Sequence, residues 1–478
     1  MTAVAQDAAA MPVAEPNSRA ARVINPWIVL VSTAFAMFAV FLDTTILFIA
    51  FAAIGADFAS AGTSALSWVL NAYTIVFAAM LIPAGRLADR IGRRRTFLAG
   101  VVVFTVASML CGAAPTVGVL VIARMLQAVG AAALVPSSLA LVLQTFPRAR
   151  VPLAVAVWSA VGAVAGALGP TLGAVVVEHL GWRWAFYINL PVGIISLLLG
   201  MRVLPEGREQ NPGRFPDAAS IVLLMASLAL SAYAVVQTEE WGWVSVRFAA
   251  AFAASLLLLG AFIERCRRVE NPLFDLGLFR SRPFRLANWA MLVFSTGFSA
   301  MFLGNVLFLT QVWRYPILRA GMVISAGPLV VAVMAPVFGR LAGRVGQRAL
   351  LVPGGLVWAS GAALLLLTAT TAPRSPAHYL PALLLTGLGV ALCMPQLSSV
   401  SVQGLPSDSY GAGAAVNQAV RNLGATLGVA LVLAFTSHPS ANPMTGFHHT
   451  WWLMIVSGAS VSLLSFFLPR APRQPARN

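Results

Sequence analysis

The stretch "GRLADRIGRRR", residues 85–95, places five arginines and one aspartate between two long apolar segments. A second stretch, "GRLAGRVGQR" at 339–348, has the same pattern G-R-L-A-x-R-x-G. Two basic turns of unrelated origin would not be expected to share glycines at matching positions. The pair therefore indicates an internal repeat, in which a charged turn joins two apolar helices in each copy.

The composition is that of a membrane protein. Of the 478 residues, 59% are hydrophobic and 10% are charged, whereas a soluble domain has roughly 25% charged residues. The net charge of +16 comes from short arginine clusters between apolar runs. No continuous basic patch is predicted, and this argues against a nucleic-acid partner.

Fourteen segments are long and apolar enough to cross a bilayer. Backbone polar groups in lipid must bond within the segment, so these spans are predicted to be helices. The predicted fold class is an all-α polytopic membrane protein with fourteen transmembrane helices. The spans are 27–50, 64–84, 97–114, 117–145, 151–177, 182–203, 216–236, 246–264, 285–311, 317–338, 348–370, 377–402, 410–436 and 450–469.

The arginines orient these spans. If the N-terminus is cytoplasmic, 24 of the 31 basic residues fall in cytoplasmic segments, five fall outside, and two, Arg124 and Arg421, fall within spans. This asymmetry predicts a multi-pass protein of the plasma or inner membrane with both termini in the cytoplasm.

The two repeated turns are eight helices apart, which an inserted helix pair between two six-helix halves explains. Parallel repeats of this kind are a known transporter architecture, with the binding site between the halves. The predicted organisation is a disordered cytoplasmic tail (1–24), a first six-helix bundle (25–204), a linker with the inserted pair (205–264), a cytoplasmic loop (265–284), a second six-helix bundle (285–470) and a cytoplasmic tail (471–478).

Six motifs in order resemble the major facilitator superfamily, and more narrowly its fourteen-helix drug:proton antiporters. Two departures stand out. Phe48 and Ala52 occupy positions where the first-helix motif usually has Asn and Pro, and Gly343 occupies the position equivalent to Asp89. The motifs are the turn at 85–95, "LDTTI" (42–46), "RMLQAVGAA" (124–132), "GALGPTLGA" (166–174), "WRWAFYINLPVG" (182–193) and "NPLFDLGLFRSRPF" (271–284).

The resemblance implies proton-driven efflux of small amphipathic organic molecules, such as antibiotics, by alternating access. The alternative within the same superfamily is a metabolite facilitator or proton symporter. No enzyme activity, cofactor or metal is expected, since no His lies well inside a span and no ligand cluster has suitable spacing. The expected partners are a small-molecule substrate, protons and the lipid bilayer, and the protein is expected to be a monomer.

Asp43 is the only acid well inside a predicted span. Ionisable residues at this depth are costly and usually functional, so Asp43 is predicted to take the coupling proton or to compete with the substrate for it. The alternative is a structural acid paired with a buried arginine. The resemblance gives Arg124 a proton-relay role, with a structural backbone contact as the alternative.

Further polar and aromatic residues are predicted to line a cavity between the halves. Arg124 and Gln127, three residues apart, share one face of the fourth helix, which is expected to point into that cavity. Because Asp43 is opposed by Arg124 and Arg421, amphipathic substrates that are neutral or anionic, or at most monocations, are predicted. The predicted lining residues are Phe48, Tyr73, Gln127, Gln311, Asn417 and Arg421.

Two motifs are predicted to act in gating. By resemblance, Asp89 contacts the start of the thirteenth helix, near Gly411, when the cytoplasmic side is closed, because a carboxylate is stabilised at a helix N-terminus. The small residues of the fifth helix are expected to pack tightly against the opposite half. The gate residues are Gly85, Asp89, Arg90, Gly92 and Arg93, and the antiporter-motif residues are Gly166, Gly169, Pro170 and Gly173.

Overall fold

The computed structural model describes residues 25–147, 150–207, 215, 217–270, 272–372, 376–403, 405, 410–436 and 444–469. The predicted tails, 1–24 and 471–478, lie outside these ranges. Within the described ranges the regular structure is helical. The helices are α1 (Pro26–Asp57), α2 (Thr63–Ile91), α3 (Arg93–Gly112), α4 (Val117–Thr145), α5 (Val151–Leu180), α6 (Trp184–Tyr187), α7 (Asn189–Val203), α8 (Ala218–Val236), α9 (Thr238–Trp241), α10 (Val246–Arg268), α11 (Arg282–Leu307), α12 (Ile317–Ile324), α13 (Ala326–Val345), α14 (Gln347–Thr368), α15 (Pro376–Val400), α16 (Tyr410–Thr436) and α17 (Thr445–Phe466).

Each predicted span corresponds to a helical segment of the structure. Thirteen segments in the described part of the chain are long and apolar enough to cross a membrane, and α17 corresponds to the last predicted span. The sixth span is broken between α6 and α7, and the tenth is broken at Ser325 between α12 and α13. A π-helical stretch, Phe308–Val312, extends α11.

Equivalent helices pack together in the two halves. In the first half α3 packs on α4 and α1 packs on α5, and in the second half α14 packs on α15 and α11 packs on α16. The pairing follows the repeat found in the sequence. The exact domain boundaries, such as 25–204 and 285–470, stay predictions.

The two repeated turns have the same backbone conformation. Gly92 has φ 115° and Gly346 has φ 84°, values that residues with a Cβ rarely adopt. Each glycine therefore allows an abrupt change of direction between two long helices, α2–α3 in one half and α13–α14 in the other.

Both turns lie at the same end of the bundle, which we call the arginine-rich end. There the backbone N–H of Arg93 donates to Gly207, beyond α7, and Arg348 donates to Leu468, beyond α17. The opposite end is called the arginine-poor end.

The inserted helices cover one side of the bundle where its halves meet. Helix α8 packs against α2 and α16, and α10 packs against α8. Apolar residues of α8, including Leu224 and Leu228, are buried against Ile75 and Ala79 of α2. The far side of α10 exposes Leu257, as expected for a helix that faces lipid.

Candidate functional site

A polar network surrounds Asp43 inside the first half. One oxygen of its carboxylate accepts a hydrogen bond from Arg124 at 2.6 Å. The other accepts from Gln127 at 2.8 Å and from Asn189 at 3.0 Å. Ser108 accepts from both of these amides, so the network joins α1, α3, α4 and α7.

Arg124 has several partners within the same bundle. Its Nε donates to the carbonyl of Val69 on α2, and its Nη1 also donates to Gln127. The guanidinium lies 4.1 Å from the ring centre of Tyr73, a favourable cation–π distance. Every charge in this site therefore has a partner of opposite sign, an amide or a ring.

The network does not face the space between the halves. Asp43 and Arg124 are each 1% exposed, and Gln127 is fully buried. The prediction that Arg124 and Gln127 point into a central cavity was wrong, because that face of α4 packs against α1, α2 and α3 of its own half. Tyr73 is likewise buried there, stacked on Phe77.

Asn189 and Ser108 are the members of this network that sequence reasoning missed. Asn189 lies in the quoted motif "WRWAFYINLPVG", so its position in that motif was an available signal. Ser108 had no such signal, because single serines in apolar helices commonly bond to their own backbone.

The remaining predicted cavity residues are scattered. Phe48 on α1 contacts Phe302 on α11, with ring centres 5.2 Å apart, and so joins the halves. Gln311 is exposed near the arginine-poor end of α11. On α16, Asn417 is buried and donates to Asn288 of α11, whereas Arg421 is partly exposed.

At the arginine-rich turn, Arg93 connects two helix ends. It donates to Asp89 at 3.4 Å and to Gln144, near the end of α4, at 3.1 Å. Sequence reasoning found no acidic partner at the end of α4; the partner is this amide. Arg90 is exposed, and among the described residues Asp89 has no partner other than Arg93.

The expected contact of Asp89 with the start of α16 stays a prediction. Residues 406–409, directly before α16, lie outside the described ranges. At Gly85, one of the predicted gate residues, an added Cβ would lie an ordinary 3.6 Å from Pro136. Close packing therefore does not require glycine at this position.

The small residues of α5 serve two different contacts. A Cβ at Gly169 would overlap Thr45 and one at Gly173 would overlap Ile46, both on α1 of the same half. A Cβ at Gly166 would meet open space. The contact with the opposite half is made instead by Pro170 and Ala174, which leave no room for a Cβ at Gly321 of α12.

Three hydrogen bonds join the halves in the described ranges, all near mid-height or toward the arginine-poor end. Thr74 pairs with Thr426 at 2.7 Å, and Thr171 pairs with Ser325 at 2.5 Å. Glu178 accepts the backbone N–H of Leu318, in the first turn of α12, at 2.6 Å. The halves are therefore held together toward the arginine-poor end.

Among the described residues, no group of three or more His, Cys, Asp or Glu side chains could hold a metal.

Comparison with known proteins identifies the chain. A family model for the Major Facilitator Superfamily matches residues 33–429, and a second match covers 289–478. The chain belongs to the major facilitator superfamily.

This major facilitator protein has relatives named for drug resistance. It is 34% identical to multidrug resistance protein Stp of Mycobacterium tuberculosis over 404 residues, 84% of this chain and 74% of that protein. It is 32% identical to the tetracenomycin C resistance and export protein of Streptomyces glaucescens over 410 residues, 85% of this chain and 75% of that protein. These relatives confirm the resemblance to drug antiporters.

The fold of this major facilitator protein also matches solved structures. A D-xylose–proton symporter superimposes with a TM-score of 0.68 at 14% identity, over 94% of this chain and 99% of that chain. The protein is a multi-pass membrane transporter of small molecules and not an enzyme.

Proposed function

We propose that this transporter exports small amphipathic organic molecules, such as antibiotics, in exchange for protons by alternating access. The observation that carries the proposal is the fully buried Asp43–Arg124 pair. The names of the relatives support the direction of transport and the kind of substrate.

The buried pair offers a physical means of coupling. A proton on Asp43 cancels the charge that Arg124 faces, and losing one charge of a buried pair costs several kcal/mol, about 3–5. The helices that meet there, α1, α3, α4 and α7, then favour a different packing, and the equilibrium between conformations shifts. Asn189 and Gln127 donate two further hydrogen bonds to the carboxylate.

The orientation follows from the arginines. The arginine-rich end is cytoplasmic, so both termini are cytoplasmic and the protein lies in the plasma or inner membrane. The bonds of Thr171 and Glu178 to the other half then lie toward the outside. This arrangement corresponds to the conformation that is closed to the outside. The protein works as a monomer, with the proton gradient as its energy source and with neither a cofactor nor nucleic acid.

Efflux measurements test the proposal. The protein is expressed in a bacterium that lacks its own drug pumps, and efflux is followed across a compound panel before and after the proton gradient is collapsed. We expect energy-dependent efflux that stops with the gradient. Asp43→Asn is expected to abolish it at equal membrane abundance, whereas Arg285→Gln, at an exposed position, serves as the control.

Efflux that continues without a proton gradient would refute proton coupling. Efflux by Asp43→Asn at the wild-type rate and with the wild-type gradient dependence would show that this carboxyl is not the proton carrier.

A further inference from the structure

Arg421 lies within the membrane-spanning part of α16. It follows Tyr410, the first residue of this helix, by eleven residues, which is roughly 16 Å along the axis. The apolar span of this helix runs from Val416 to Thr436, so Arg421 lies inside it, nearer to the arginine-rich end.

The neighbours of α16 show which way Arg421 faces. On one flank Gly424 and Gly428 pack on the backbone of α11, and on the other flank Thr426 bonds to α2. Ala430 lies beyond α2, against α8, on the outer side of the bundle. The face between the α11 and α2 contacts therefore points inward, toward the space between the halves.

Burial along this inward face is lower than on its flanks. Gln418, Arg421 and Ala425, spaced at helical intervals, are all partly exposed, whereas Asn417 and Gly424 are buried. Since lipid lies on the other side of the bundle, this exposure is to the interior of the transporter.

Arg421 has no partner in the described part of the chain, where no oxygen accepts a hydrogen bond from its guanidinium. Arginine stays protonated in proteins, and an unpaired charge at this depth is costly. Asp43, the acid inside the spans, already forms a buried ion pair with Arg124 in the first half. The interior face thus presents a positive charge that the described chain does not balance.

An aromatic row lies between the level of Arg421 and the arginine-poor end. Phe298 and Phe302 of α11 have ring centres 6.1 Å apart, and Phe302 contacts Phe48 of the other half. Gly424, three residues beyond Arg421, packs at the level of Leu292, so Phe298 lies nine residues beyond the level of Arg421 along α11, roughly 13 Å. Phe302 is buried, whereas Phe298 and Phe48 are partly exposed. A positive group and these two rings are therefore separated by the length of a small amphipathic molecule.

We propose that the substrates are amphipathic organic anions, whose carboxylate or similar acidic group binds Arg421 while the apolar body packs on the aromatic row. The planar guanidinium suits a carboxylate through two parallel hydrogen bonds. The inference rests on the proposed function, since it assigns the substrate class of the same transporter. It excludes dications as preferred substrates.

Binding of two dyes with one tricyclic scaffold tests the proposal without a proton gradient. Fluorescein is an anion and rhodamine 123 is a cation at neutral pH, and fluorescence polarisation measures each Kd on the purified transporter. We expect fluorescein to bind more tightly. Arg421→Gln is expected to weaken fluorescein binding by at least about tenfold, because a hydrogen bond to a charged group is lost, with rhodamine 123 unaffected or bound more tightly.

Arg421→Lys keeps the charge and is expected to retain part of the preference, which keeps the test informative if Arg421→Gln does not fold. Arg285→Gln, which removes a charge at an exposed position at the start of α11, should leave both Kd values unchanged. Wild-type protein that binds fluorescein no more tightly than rhodamine 123, or Arg421→Gln that weakens both dyes equally, would overturn the proposal. Loss of transport with intact fluorescein selectivity would count against proton-driven efflux and not against this site.

Discussion

At the scale of single residues, the Asp43–Arg124 pair is the centre of the hydrogen-bond network inside the first half. Both residues stand out in the sequence as ionisable groups inside apolar helices. They pair across 81 positions of the chain, and Gln127 and Asn189 donate further hydrogen bonds to the carboxylate. Such a structural pair is the alternative that the sequence analysis kept beside proton transport. The two roles are compatible, because a proton carrier must have a partner whose binding changes when it is protonated.

Removing one member of this pair is expected to destabilise the protein more than removing both. Asp43→Asn leaves the Arg124 charge buried without its counter-ion, and this should cost about 3–5 kcal/mol. The double variant Asp43→Asn with Arg124→Gln should recover part of that loss, since two neutral amides can bond to each other and to Gln127. Unfolding of the purified proteins in detergent measures the cycle. Strictly additive losses would show that the two side chains do not interact energetically.

The residue scale also shows where sequence reasoning succeeded and where it did not. Asp43, Arg124 and Arg421 could be recognised from the sequence as ionisable residues inside apolar segments. The free-energy cost of placing such a side chain in the membrane depends on its own segment and not on the neighbouring helices. The direction in which each side chain points depends on which helices pack beside it. Arg124 was therefore predicted to face the cavity, whereas it faces the other helices of its own half.

At the scale of elements, the two repeated turns share their backbone but differ in one side chain. Gly92 and Gly346 both have positive φ, and Asp89 of the first turn corresponds to Gly343 of the second. The bond of Asp89 to Arg93, which itself reaches Gln144, ties the ends of α2, α3 and α4 together. No side chain can make this connection at Gly343.

Asp89→Asn is therefore expected to reduce transport strongly, and Gly343→Ala to leave it nearly unchanged. A Cβ at Gly343 would meet open space, and the asparagine removes the charge that Arg93 binds. Efflux rates at equal membrane abundance provide the measurement. Equal rates for the two variants would mean that the asymmetry between the turns has no role in the transport cycle.

The inserted helix pair is closed at the arginine-rich end by an ion pair. Asp217, directly before α8, accepts two hydrogen bonds from Arg265 near the end of α10. Together with the bonds from Ser220, Arg265 holds the pKa of Asp217 below its usual value. The folded state thus gains stability from this group above about pH 4, the ordinary pKa of an aspartate.

As the pH falls below about 4, this stabilisation should be lost progressively, because protonated Asp217 no longer pairs with Arg265. Asp217→Asn should make the melting temperature of the protein lower at pH 6 and less dependent on pH between 5 and 3. The side chain is partly exposed, so the expected effect is small. A wild-type-like acid dependence in Asp217→Asn would show that other carboxylates account for it.

At the scale of the whole molecule, contacts toward the arginine-poor end hold the halves in one of the arrangements that alternating access requires. The Oγ atoms of Thr171 and Ser325 are 2.5 Å apart across α5 and α12. Nearby, Pro170 and Ala174 leave no room for a Cβ at Gly321. A transport cycle must separate these surfaces, since they close one side of the route between the halves.

Cysteines at Thr171 and Ser325 should therefore form a disulfide that stops transport. Oxidation of Thr171→Cys/Ser325→Cys is expected to abolish efflux, and a reductant is expected to restore it. The single variants control for the substitutions, and the native Cys111, Cys266 and Cys393 are buried. Full transport by the cross-linked protein would contradict a cycle in which these helices part.

The sequence by itself determined the helical membrane fold, the repeat of its two halves and the turns at Gly92 and Gly346. These features depend on the length of the apolar segments, the distribution of the arginines and local backbone preferences. Each of these can be read from short stretches of the sequence. Only the tertiary structure decided that Asp43 meets Arg124 and Asn189 inside one half. These contacts join residues far apart in the chain, such as the 146 positions between Asp43 and Asn189. They depend on the rotation of each helix against its neighbours, which no local pattern specifies.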